Sequence, residues 1–429
     1  MWHDMTNFLI ILTVLSLFIL TNSVQFKLSN KKICQQREIL DNEISMRNPE
    51  TFMDIVKEVG YDAEEHEVKT EDGFILTVHR ILSGPKSSPA SGKPIVILLH
   101  GLLAASDVWV SRRDCQDLAY LLVNNGYDVW ALNFRGNFYS KQHEKIPTSD
   151  SKFWRFSWHE FGVYDTAATV DYALSVTGES RVSLVGHSMG GTVILVFLSS
   201  RPEYNSKVNV ALTLAPVAIV NHTFPGLFSS IGLRYGNQIQ EALKLLNIHE
   251  IFPRYSFNTF AEYIKCQKRN LFCSQLGFIL FGVTNLGVLE PAMMPRLLNH
   301  YPQGTSVETL AHYRQILHSG RFAQYDFGPI GNFMKYRNVL PPEYPLERIS
   351  APVVFYYGDG DPFATRSDIE ITMKKLQTAT MREISYSKFG HIDFVFRKEV
   401  KNLVYDDILE ILDVYRNDSK EIINVVHVK

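Results

Sequence analysis

The stretch from Arg181 to Val193, RVSLVGHSMGGTV, constrains the fold more than any other part of this chain. Val182 to Val185 is a short apolar run of β character, and Thr192 to Ser199 is an apolar segment of helical character. Between them lies Gly186-His187-Ser188-Met189-Gly190, a G-x-S-x-G element. The pentapeptide alone arises often by chance, and a surface turn before a Rossmann-type helix would read the same way. Its setting between strand and helix is what makes it a nucleophile elbow. A serine on so tight a turn holds a strained backbone, and its neighbours must be small, as Gly186 and Gly190 are. The turn lifts the hydroxyl clear of the sheet. It also aims the free N–H groups of the following helix at any oxyanion formed there.

The rest of the chain supplies matching units. A helix is expected from Pro49 to Val59, with Gly60 at its end, then a hairpin through Glu67–Thr70, Asp72-Gly73 and Phe74–Arg80. Ile95 to Leu99 is a continuous apolar run, as suits a strand covered on both faces. Leu118–Asn125 reads as a helix and Asp128–Asn133 as a strand. Asp165 is placed to cap a helix over Thr166–Thr177, and Val208–Leu214 is a further strand. This order predicts an α/β fold with a mostly parallel, doubly wound sheet. After Ala218 the alternation stops, and the β pattern resumes only at Pro352–Tyr357. Residues 219–340 therefore read as a helical cap or lid inserted between two parts of the core, 48–218 and 341–415.

Phe8 to Leu20 is an apolar run too short to span a bilayer comfortably, followed by Thr21, Asn22 and Ser23. Residues 1–23 read as a signal peptide. The first seven residues hold no Lys or Arg, which leaves an uncleaved anchor as the alternative. No later segment looks transmembrane. Asn221-His222-Thr223 and Asn417-Asp418-Ser419 are glycosylation acceptors, consistent with a secretory route. Cys266 and Cys273 are close enough in sequence to close a short loop, whereas a pairing of Cys34 with Cys115 cannot be read from sequence. A net charge of −2 with no basic stripe gives no reason to expect nucleic acid as a partner. No Cys/His spacing implies a metal.

A nucleophilic serine needs a base, and the base needs an orienting acid; in α/β-hydrolases they follow in the order Ser, acid, His. The strand at Val353–Tyr357 leads into Gly358-Asp359-Gly360-Asp361-Pro362. Asp361 is the expected acid, since Asp359 between two glycines reads as a turn residue. His391 follows a weak strand at Ile384–Ser387 and precedes an apolar helix candidate. It is the expected base, and Asp393 is too near it in sequence to be the usual acid partner. The oxyanion hole needs two backbone N–H groups, assigned here to Met189 and Leu102. His100, at a strand end before Gly101, is expected to shape that loop. In the cap, Phe272, Phe278, Phe281, Met293 and Met294 fit either an acyl tunnel, a lipid-facing surface or plain core packing.

These residues resemble one family, the animal acid lipases. The matching segments include Asn48-Pro49-Glu50, Thr70-Glu71-Asp72-Gly73, His100-Gly101-Leu102-Leu103-Ala104, Arg135-Gly136-Asn137, the elbow, Leu214-Ala215-Pro216-Val217-Ala218, Tyr325-Asp326-Phe327-Gly328 and His391-Ile392-Asp393-Phe394. The resemblance implies Ser188, Asp361 and His391 as triad, Leu102 and Met189 as oxyanion donors, a cap with a movable lid, and a cap disulfide between Cys266 and Cys273. It also implies hydrolysis of water-insoluble esters, chiefly triacylglycerols and in some members sterol esters, with no cofactor and with lipid contact through the cap. Met189 stands where vertebrate members have glutamine, and Pro362-Phe363 after the acid also departs from the family pattern. Two other readings share the motifs: a soluble carboxylesterase for small esters, and a lipid-binding protein that kept the fold without catalysis.

Overall fold

The computed structural model describes residues 50–89, 91–113, 115–222, 227–254 and 300–416, with backbone alone for 227–233. Eight strands form the main path of one sheet: β1 (Asp62–Lys69), β2 (Phe74–Ser83), β3 (Ile95–Leu99), β4 (Asp128–Leu132), β6 (Val182–His187), β7 (Val208–Leu214), β10 (Val353–Tyr357) and β11 (Ala379–Glu383). Their order is β1-β2-β4-β3-β6-β7-β10-β11, and a short β5 (Gln142–His143) pairs with β2. From β4 to β11 every pairing is parallel, whereas β1, β2 and β5 pair antiparallel. The predicted α/β fold with a mostly parallel doubly wound sheet is the observed one. Strands β3, β4, β6 and β10 are buried along their whole length, which is why β3 and β10 read as unbroken apolar runs and β4 and β6 are apolar apart from Asp128, Ser183 and His187.

The hairpin turns where expected: Gly73 takes φ +93°, and its N–H bonds the Thr70 carbonyl at 3.0 Å. The first helix begins at Phe52, capped by Thr51 with Asp54 reaching back in a capping box. Two expectations need correction. Asp165 caps no helix. It lies inside a π-helical stretch, Phe161–Thr166, and the real N-cap is Ser157, paired with Glu160 in a capping box. Tertiary pairing overrides the local capping preference of Asp165, because its buried carboxylate takes the Arg135 backbone N–H at 3.0 Å and Nε at 2.7 Å. The last strand is Ala379–Glu383 rather than Ile384–Ser387. Its register is fixed by parallel pairing with β10, from Val353 opposite Ala379 to Tyr357 opposite Glu383.

The interval 219–340 is largely helical where described, with helices Leu227–Leu245, Val307–Ser319 and Gly328–Tyr336. It also contains a small antiparallel pair the sequence did not signal, β8 (Glu250–Ile251) with β9 (Thr305–Ser306). Cys115 is disulfide-bonded, to a partner outside the described residues. The signal-peptide segment, Cys34, Cys266, Cys273, Asn417 and the cap aromatics and methionines named above also lie outside them.

A buried polar knot ties this interval to the core. Asp107 accepts from Tyr139 Oη at 2.7 Å, His300 Nδ1 at 2.9 Å and Gln303 Nε2 at 3.2 Å, with Arg254 Nη1 at 3.7 Å. Burial alone would raise the Asp107 pKa, but the bond from His300 and the charges of His300 and Arg254 hold it below the ordinary value. A carboxylate depressed in this way stabilises the fold above its unfolded pKa, about 3.9, and that contribution is lost as pH falls further. Asp107→Asn should therefore lower the thermal unfolding midpoint at neutral pH, and the deficit should shrink as both proteins are measured at increasingly acid pH. Arg135→Met should be worse, at about 3–5 kcal/mol in chemical denaturation, because it strands the fully buried Asp165.

Candidate active site

Ser188 sits between the end of β6 and the helix Met189–Ser200, with φ +55° and ψ −116°. Positive φ is costly for a side-chain-bearing residue and persists only where the surroundings enforce it. Here the enforcement is close packing. A Cβ on Gly190 would lie 2.1 Å from the Leu99 carbonyl oxygen, and one on Gly186 2.5 Å from the Gly190 carbonyl carbon. The Ser188 N–H is held by the Leu214 carbonyl of β7 at 2.8 Å.

Three residues distant in sequence meet at this turn. His391 Nε2 is 2.7 Å from Ser188 Oγ, and His391 Nδ1 is 2.8 Å from Asp361 Oδ2. With the Nδ1 proton directed at the carboxylate, Nε2 is left to accept the serine proton. Asp361 is itself oriented: its other oxygen accepts the backbone N–H groups of Phe363 at 2.8 Å and Ala364 at 3.1 Å. Asp359 is exposed in the turn before it, away from this chain of bonds. Asp393 has a different task. It accepts the Gly390 N–H at 2.8 Å and pairs with Arg397 at 3.3 Å, so it shapes the loop that carries His391. Burial raises its pKa.

The loop after β3 passes beside the serine, where a Cβ on Gly101 would be 3.3 Å from Ser188 Cβ. His100 shapes this loop, as expected. Its Nδ1–H donates to the Gly101 carbonyl at 2.8 Å, and its Nε2 accepts the Phe134 N–H at 3.2 Å. Burial pushes its pKa down to about 4, so it stays a neutral structural group. Met189 opens the elbow helix, so its N–H has no carbonyl within that helix to bond.

Sequence reasoning missed four contributors. His187, inside the pentapeptide, donates Nε2–H to the His391 carbonyl at 2.9 Å and thereby ties the elbow to the histidine loop. Burial first, then the neighbouring His391, lowers its pKa to about 3. Phe363, one of the departures from the family pattern, sets its ring edge-on to His391 with centroids 5.0 Å apart. Tyr301 donates its hydroxyl to the Leu102 carbonyl at 3.0 Å, and the Gln303 N–H bonds the Leu103 carbonyl at 2.8 Å. Leu103 holds φ +57°, so this loop too is kept in a strained shape. Only His187 carried a local signal, its place in the motif. Phe363 directly follows the acid loop, but its packing on His391 is not encoded locally, and Tyr301 and Gln303 come from a remote segment whose approach no local pattern encodes. Among the described residues no cluster of His, Cys, Asp and Glu is placed to hold a metal ion, and no helix is long and apolar enough to cross a membrane.

The arrangement can activate a hydroxyl nucleophile beside backbone donors, and comparison with known proteins points to the same chemistry. The alpha/beta hydrolase fold family matches residues 94–398, and the partial alpha/beta-hydrolase lipase region matches residues 52–113. Lipase 3 of Drosophila melanogaster is 35% identical over 363 residues, covering 84% of this chain and 92% of that protein. Human gastric triacylglycerol lipase is 34% identical over 374 residues, covering 85% and 92% respectively. A putative lipase from Sulfolobus solfataricus aligns with TM-score 0.50 at 15% identity, over 82% of this chain and 93% of that one, and shows the shared fold. The chain is thus a carboxylic ester hydrolase of the α/β-hydrolase fold and belongs to the animal acid lipase family.

Proposed function

We propose that this protein hydrolyses lipid esters, triacylglycerols foremost, through an acyl-enzyme on Ser188. The observation that carries this reading is the continuous hydrogen-bond chain from Ser188 Oγ through His391 to Asp361 at the strained elbow. His391 takes the hydroxyl proton as Oγ attacks the ester carbonyl. The N–H groups of Leu102 and Met189 stabilise the oxyanion, and His391 then returns the proton to the departing alcohol. Water, activated by the same imidazole, attacks the acyl-enzyme and frees the fatty acid. Asp361 holds the ring in the required tautomer and balances its charge. No step draws on a cofactor.

The division into a core of 48–218 and 341–415 with a cap over 219–340 suits this role, since the cap is where lipid contact is expected. Residues 1–23 would direct the chain into the secretory pathway. Asn221, exposed at the start of the cap interval, fits a glycan acceptor.

The test is fatty-acid release from emulsified long-chain triacylglycerol and from a short soluble ester. Ser188→Ala should abolish both activities. Cleavage of the soluble ester alone would mean an esterase, and loss of both in the wild type would favour a lipid-binding protein. Asp361→Asn should fall by roughly 10⁴-fold in kcat, as expected when the imidazole is left in the wrong tautomer. Tyr301→Phe removes the hydroxyl that holds the Leu102 carbonyl, without touching substrate. It should lower kcat on the soluble ester by about tenfold with little change in KM, because a displaced oxyanion donor matters mainly in the transition state.

A further inference from the structure

The helix Gly328–Tyr336 is built inside out. Its polar Asn332 is 1% exposed, while Ile330 is 80% and Met334 71% exposed. Phe327, Phe333, Val339 and Leu340 are exposed beside them, so six of the ten large exposed hydrophobics among the described residues fall within fourteen positions. A solvent-facing helix ordinarily turns such residues inward. This one is prevented from doing so by its polar pins. Asn332 Nδ2 donates to Asp326 Oδ1 at 2.7 Å and to the Val339 carbonyl at 2.9 Å, while its Oδ1 accepts the Phe327 N–H at 2.9 Å. The Tyr336 hydroxyl bonds the Tyr325 carbonyl at 2.9 Å. Gln315 on the neighbouring helix Val307–Ser319 exchanges two bonds with the backbone of Asp326, at 2.8 and 2.9 Å. On that same helix, Tyr313 donates to Thr192 of the elbow helix at 3.2 Å. The apolar plate is therefore firmly mounted on the scaffold that carries Ser188.

We propose that this plate, Phe327 to Leu340, is a docking surface for the lipid–water interface that carries the substrate. Contiguous exposed apolar surface of this kind marks an interaction site, and an apolar helix face flanked by basic residues suits shallow burial in a lipid boundary. The charges narrow the occupant. Between Phe327 and Leu340 the only charged residues are Lys335 and Arg337, both exposed. The proposed reaction releases fatty acid, whose carboxylates gather at the substrate surface and make it anionic. At its edge the carboxylate of Asp326 is engaged by Asn332 and the Gly328 N–H, so Lys335 and Arg337 leave the plate with net positive charge, which fits such a surface. The inference rests on the lipid-ester reading above, since it takes the surface of the substrate as the occupant.

The test separates binding from catalysis by using the full chain with Ser188→Ala. Its partition onto triolein emulsion stabilised with phosphatidylcholine is measured by flotation, with and without added oleate. Adding Ile330→Ser and Met334→Ser should reduce partition at least roughly tenfold under both conditions, as expected from removing apolar area that enters the lipid. Adding Lys335→Gln and Arg337→Gln instead should abolish the gain conferred by oleate, about fivefold per charge, while leaving binding to the neutral emulsion. Thermal unfolding of each variant reports folding, and both pairs lie on the exposed face. Undiminished partition of the Ile330/Met334 variant would overturn the proposal. So would a dimer that this variant converts to monomer with partition unchanged, which would make the plate an interface between copies. If the wild type releases no fatty acid yet the plate still governs partition, the catalytic reading fails and the docking surface stands.

Discussion

The site depends on one packing constraint, the near-contact of backbone with backbone at the elbow. Gly190 lies so close to the Leu99 carbonyl that no side-chain carbon fits between them, and Gly186 lies equally close to the first turn of the elbow helix. This closeness lets the helix start directly above the ends of β3 and β6, and it holds Ser188 at positive φ. The strain is local and of order 1–3 kcal/mol, small beside the burial of fully covered central strands. From that point the other parts follow. The loop after β3 necessarily runs past the serine, the helix N-terminus faces the same space, and the later strands β10 and β11 bring Asp361 and His391 to the same edge.

The surroundings of the serine are assembled from two directions. On one side the core contributes three histidines with different tasks. His100 and His187 are buried, neutral and used to fix backbone, whereas His391 bridges Ser188 and Asp361. On the other side the segment His300–Gln303 grips the carbonyls of Leu102 and Leu103 and reaches Asp107. Interior charge of this kind is a weak source of stability, because desolvation offsets much of the attraction. What it supplies here is position. A rigid polar knot directly behind the proposed oxyanion loop sets where its backbone lies.

The same trade recurs at the outer end. Asn332 spends its hydrogen-bonding capacity on one turn of backbone and leaves the apolar side of its helix facing solvent. For a freely soluble enzyme this would be a liability. For one whose substrate forms a separate phase it places apolar area where water is to be displaced.

Much of this was legible in the chain. Ile95–Leu99 coincides with a strand because residues covered on both faces are continuously apolar, and Val208–Leu214 coincides with one as a short, mainly apolar run. Ser188, Asp361 and His391 could be named because a tight turn, a strand end and a glycine-flanked loop each leave a local mark. Asp165 was misread because its cap-like position is local while its partner, Arg135, is thirty residues away. The last strand was misplaced because its register is set by β10 and not by its own pattern. What the sequence by itself determined was the alternation of elements and the residue types at the ends of strands, since both follow from periodicity and backbone sterics. Only the tertiary structure decided that Asp393 pins the loop carrying His391, why His187 and Tyr301 matter, and which face of the Gly328–Tyr336 helix is turned outward. Each of these depends on hydrogen bonds between groups distant in the chain, and local periodicity carries no record of them.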